Sequence, residues 1–145
     1  MKQQFSIFFA AFLFVITSCN TQRLVVKVND AKKLETNKDY FIGKQLKNFL
    51  SEIKPAIRFV YGNPENTSAR ATGGTYLVFN FDNKEEGNKR LSAKETPTRI
   101  MVQFQLEPTN NRRPLPKDGI KEWTNQETKE YGDMIIMSIR VSGEN

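Results

Sequence analysis

A chain of 145 residues with 22 Lys and Arg against 16 Asp and Glu carries a net charge of +6, and it holds one cysteine and no histidine. That length suits one domain able to bury its core without covalent staples, and a lone cysteine excludes an internal disulfide or a cysteine-based zinc shell. The missing histidine excludes Ser-His-Asp and Cys-His catalysis and removes the commonest metal ligand, while the surplus of cations favours anionic partners.

The chain opens with Lys2 and then a run from Phe5 to Ile16 that is apolar apart from Ser6. A spanning helix needs roughly 20 apolar residues, so this run is too short to stay in a bilayer. It fits the apolar core of a secretory signal, about 7–15 residues long. Ile16-Thr17-Ser18-Cys19 ends it, and this tetrapeptide resembles the lipobox of bacterial lipoproteins. The resemblance implies cleavage before Cys19, diacylglycerol on its thiol and a further acyl chain, such as palmitate, on the new N-terminus. Two or three acyl chains on one residue make a firm membrane anchor. The implied organisation is a signal peptide over 1–18, a lipidated N-terminus and tether over 19–40, and a single domain over 41–145. Asn20 stands where Asp marks inner-membrane retention in many lipoproteins, and no acidic cluster follows. The expected location is therefore the outer membrane of the cell envelope, facing the periplasm.

From Asn20 to Asp39 the composition is mostly polar, as a tether requires. Within it Leu24-Val25-Val26-Lys27-Val28 reads as either a short edge strand or a sticky patch. The clearest periodic signal spans Gly43 to Lys54, where Leu46, Phe49, Leu50 and Ile53 recur at i, i+3, i+4 and i+7. That spacing predicts an amphipathic helix with Gly43 as its N-cap and Pro55 forbidding continuation.

Alternation of apolar and polar residues predicts four strands, over Ala56–Tyr61, Thr75–Phe81, Arg99–Leu106 and Met134–Val141. The second is apolar on both faces, as in a central strand. Between strands two and three, Asp82–Pro97 reads as a charged connection. Glu107–Tyr131 contains Pro108, Pro114, Pro116 and Gly119, which makes its first half irregular. Ile120–Tyr131 reads as either a weak helix or a short hairpin. One helix followed by strands gives an α+β fold, an antiparallel sheet of about four strands with the amphipathic helix on one face. The order of elements from Phe41 through Pro55 into the sheet is loosely similar to small periplasmic modules of the β-lactamase-inhibitor-like type and to small outer-membrane lipoproteins.

Motifs for chemistry are few. Ser51-Glu52-Ile53-Lys54 has the S-x-x-K form of penicillin-recognising serine enzymes. Its companion motifs are absent, and it sits at a helix end against Pro55. Glu85-Glu86 and Glu127/Glu130 read as solvated carboxylates rather than an acid–base pair. Asn66-Thr67-Ser68 matches a glycosylation form but reads as a polar loop. If the four strands form a simple meander, the connections 62–74 and 107–131 share one end of the sheet. Arg70, Arg112, Arg113 and Trp123 would then gather as a ligand- or partner-binding group, guanidinium forks beside an aromatic ring. The expected function is a non-enzymatic binding or assembly module held to a membrane by acylated Cys19, with no cofactor, metal or nucleic acid. Its partner is an anionic ligand or an envelope protein. The alternative is an inhibitor or adaptor that docks onto an envelope enzyme, and a third reading is an enzyme of unidentified chemistry.

Overall fold

The computed structural model describes residues 23–63, 75–105 and 119–143. A 3-10 helix at Val28–Ala31 leads into α1 (Lys32–Thr36), α2 (Lys38–Phe41) and α3 (Leu46–Leu50). Then come β1 (Phe59–Asn63), β2 (Thr75–Asn80), α4 (Lys84–Ser92), β3 (Arg99–Phe104), β4 (Ile120–Glu122), α5 (Asn125–Tyr131) and β5 (Ile136–Ser142). The strands form one antiparallel sheet in the order β4-β1-β2-β3-β5. The fold is α+β, as the patterning predicts, and the four expected strands pair in sequence as a meander with β2 at the centre. A fifth strand is added beside β1. It is too short, at three residues, to show alternation.

Register sorts the strand residues onto two faces. Leu77 lies opposite Val102, which lies opposite Ile139; Phe79, Ile100 and Val141 form the next row. These rows are buried, and Ala31, Leu34, Phe41, Leu46, Phe49, Ile53 and Tyr131 pack with them in one core. Each large apolar side chain buried there stabilises the fold by about 1.5–3 kcal/mol relative to exposure. The outer edge of β5 is closed by the chain before α3. Gly43 N–H donates to the Ile136 carbonyl at 2.8 Å, and Ile136 N–H donates to Lys44 O at 2.9 Å. Lys32 Nζ donates to the Val141 carbonyl at 2.6 Å farther along. These contacts satisfy outer-edge backbone groups at Ile136 and Val141.

Three expectations are corrected here. The single long helix over 43–54 is instead α3, five residues with Gln45 at the position before its first turn, and Gly43 is a turn residue at φ 79°. Its stripe survives: Leu46, Phe49 and Ile53 are buried and Leu50 packs half-buried against them. Second, the tether expected over 19–40 is part of the domain from Leu24 onward. Val25 forms a parallel bridge with Ile53, and Val25, Ala31 and Leu34 are among the most buried residues. Their apolar side chains are spaced for a 3-10 turn followed by a helix, a pattern that the lysines between them disguise. Third, the charged connection 82–97 contains α4. Its start is fixed by a reciprocal cap, in which Asn83 Oδ1 accepts from Glu86 N–H at 2.8 Å and Glu86 Oε2 accepts from Asn83 N–H at 3.0 Å. None of its residues is buried, so it lacks the apolar stripe that would announce a helix.

Candidate functional site

The second face of the sheet carries Phe59 opposite Asn80 and Asn80 opposite Arg99, with Tyr61 opposite Val78 and Val78 opposite Met101 in the next row. On the other side of β1, Tyr61 lies opposite Ile120. Helix α4 crosses this end of the face and supplies Lys84, Asn88 and Leu91, enclosing a groove of about 230 Å³. A second hollow lies beside it and shares Phe59, Lys84 and Ile120, with Arg58 and Glu122 on its far wall. The groove therefore has aromatic and aliphatic walls with polar groups at its base, the composition expected of a small-ligand site.

The charges in it are unequal in freedom. Asp82 is held by Arg90, whose Nε lies 3.2 Å from the carboxylate. Asn80, buried, turns its Nδ2 to the Val78 carbonyl at 3.0 Å. Arg99 is different: its Nε is buried and has no hydrogen-bond partner among the described residues. A buried donor without a partner costs roughly 1–3 kcal/mol, which an acceptor entering the groove would recover. Lys84 and Arg99 leave the groove cationic once Asp82 is neutralised by Arg90.

A separate ionic cluster fixes one wall. Thr124 caps α5, its Oγ1 accepting from Gln126 N–H at 3.1 Å. Glu127 reaches back to the Thr124 N–H at 2.9 Å and accepts from the Thr124 hydroxyl. Lys121 in β4 binds Glu127 at 3.1 Å and Glu130 at 3.2 Å. Burial alone would push the Glu127 carboxyl up, but these donors more than offset it and hold its pKa at about 2. The Thr124-x-x-Glu127 spacing is legible in the sequence as a helix start. It resolves the Ile120–Tyr131 alternative into a short strand followed by a helix.

The described residues hold one member of the sequence-predicted site, Trp123. Cys19, Arg70, Arg112 and Arg113 lie outside the described residues. Trp123 lies within them, packed half-buried with its ring edge-on to Phe79 at 5.0 Å and stacked on Tyr131 at 6.1 Å. Asn63 pairs with Tyr76 and Thr75 with Phe104, so β1 ends and β2 begins at the end where β3 finishes. The chain re-enters at that same end, where Gly62 N–H meets Gly119 O at 3.3 Å. But β4 then carries it the length of the sheet, and Trp123 N–H donates to Arg58 O at the opposite end. The extra strand separates Trp123 from the end at which it was expected. The S-x-x-K serine is exposed, and Ser51 Oγ donates to the Asn48 carbonyl at 2.7 Å. Among the described residues, no three His, Cys, Asp or Glu side chains stand close enough to hold a metal ion. No family model matches the chain, and neither a curated protein nor a solved structure matches it.

Proposed function

We propose that this chain is a lipid-anchored binding module of the cell envelope, whose groove between α4 and the sheet takes a ligand bearing a carboxylate or another anionic acceptor. The anchor rests on the lipobox-like Ile16-Thr17-Ser18-Cys19, and Asn20 after it favours the outer membrane. The observation that carries the binding reading is the buried, unpartnered Arg99 Nε at the groove, with Lys84 beside it and the Phe59 and Tyr61 rings on its wall. A guanidinium fork pairs with a planar anion, and the rings supply the apolar contact that charge alone lacks. These groups hold a ligand rather than transform it, so the module acts by capture.

The test is a thermal-shift screen of anionic compounds and acidic peptides against the purified chain and its Arg99→Leu variant. The reading expects ligands that raise the wild-type midpoint and lose most of that shift in the variant. Ligands that shift both proteins equally, or a screen with no stabilising anion, would contradict it.

A further inference from the structure

We infer that the domain rests directly on the anchoring bilayer, with a groove beside Lys47, Lys54 and Trp123 receiving an anionic phospholipid headgroup. The inference builds on the lipid anchor at Cys19. It starts from chain length. Among the described residues the chain is first locked in place at Val25, whose carbonyl accepts from Lys54 N–H at 2.8 Å and whose N–H donates to Glu52 O at 3.0 Å. Six residue steps separate Val25 from Cys19, and even fully extended they reach only roughly 20 Å. A tether that short holds the Val25–Lys54 corner within about one domain radius of the headgroups.

The surface at that corner suits such a neighbour. Arg23, Lys27, Lys47 and Lys54 are exposed and make no ion pair among the described residues. The carboxylates nearby are engaged: Glu52 accepts from Leu24 N–H at 3.1 Å, and Asp30 accepts from Lys27 N–H at 2.9 Å and pairs with Lys33 at 2.7 Å. Beside Lys54 opens a hollow of about 440 Å³ with Lys47 and Lys54 on its rim, Leu50, Ile57 and Trp123 in its wall, and no carboxylate in its lining. Two ammonium groups over an apolar wall match a phosphate on an acyl glycerol. Cations within about 8 Å of an anionic surface are attracted with little screening at physiological salt, and indole rings favour the membrane interface.

Trp123 is the sole tryptophan, so its emission reports on this hollow alone. Full-length acylated protein is reconstituted into vesicles of phosphatidylethanolamine and phosphatidylglycerol that contain a headgroup-spin-labelled lipid. Intact mass first establishes that the chain carries its acyl groups. The expected result is quenching of Trp123 at least twofold stronger in wild type than in a Lys47→Glu, Lys54→Glu double variant of equal melting temperature. A Lys89→Glu, Lys94→Glu variant, altered on α4 and just after it, should quench like wild type. Absent quenching, equal quenching in wild type and the first variant, or equal loss in both variants overturns the inference while leaving the anchor standing. A chain without acyl groups removes the anchor and the inference with it.

Discussion

Lys121 and Glu127 meet at 3.1 Å where β4 gives way to α5, tying the sheet edge to a helix that packs over Trp123. The carboxylate is nearly inaccessible to solvent and keeps its charge because Thr124 and Lys121 surround it with donors. Its pKa of about 2 lies below the ordinary 4.5. A group depressed on folding contributes stability that is complete above the unfolded pKa and lost as pH falls through the folded one. Stability should therefore decline as pH falls between about pH 5 and pH 2. Denaturant unfolding across that range checks it. Glu127→Gln should be less stable at neutral pH and show a shallower acid limb, and an unchanged limb would refute the assignment.

The N-terminal stretch makes a second test. A chain beginning at residue 23 should unfold cooperatively, whereas one beginning at residue 41 loses Val25, Ala31 and Leu34 from the core. The shorter chain should lack a cooperative melting transition by circular dichroism. Equal melting of the two would mean that residues 24–40 contribute no packing.

Phe49 stacks edge-on against Phe41 at 5.3 Å and is fully buried. Phe49→Ala should cost about 3–5 kcal/mol through lost burial and the cavity left behind. Ser51→Ala, on an exposed hydroxyl that bonds only within its own turn, should change stability by less than about 0.5 kcal/mol. Urea midpoints of the two variants decide the matter.

Gly143 lies in left-handed backbone at φ 89°, and a Cβ there would stand 2.2 Å from the Pro97 carbonyl oxygen. Because that neighbour is backbone, it cannot swing aside. Gly143→Ala should destabilise by more than about 1 kcal/mol and disturb Pro97 and Thr98, which line the groove. Amide chemical shifts of Thr98 and Arg99 would reveal the displacement, and unmoved shifts would argue against it.

What was legible in the sequence follows from how regularly burial repeats. Arg99–Phe104 alternates half-buried and buried residues without exception, so its pattern declares a strand. Leu46, Phe49 and Ile53 keep helical spacing even though the helix itself is short. Helix α4 buries nothing, so only the Asn83 and Glu86 cap could have marked it. Strand β4 is fixed by its pairing with β1 rather than by any pattern of its own. The groove is hidden for a different reason: Phe59, Asn80, Lys84 and Arg99 come from four separate elements, and only strand register and the placement of α4 bring them together. The grouping of Trp123 with Arg70, Arg112 and Arg113 rests on a four-strand meander, a topology that leaves out the short extra strand carrying Trp123 to the end beside Arg58.

The central claim, a binding module held to a membrane through its first mature residue, is tested most directly by the intact mass of the chain recovered from bacterial membranes. The account predicts a mature protein that begins at Cys19 and carries diacylglycerol on the thiol with a further acyl chain on the amine, and a Cys19→Ser variant that takes up no labelled fatty acid. A recovered chain that retains residues 1–18, or that ends in an unmodified Cys19 thiol, would contradict it.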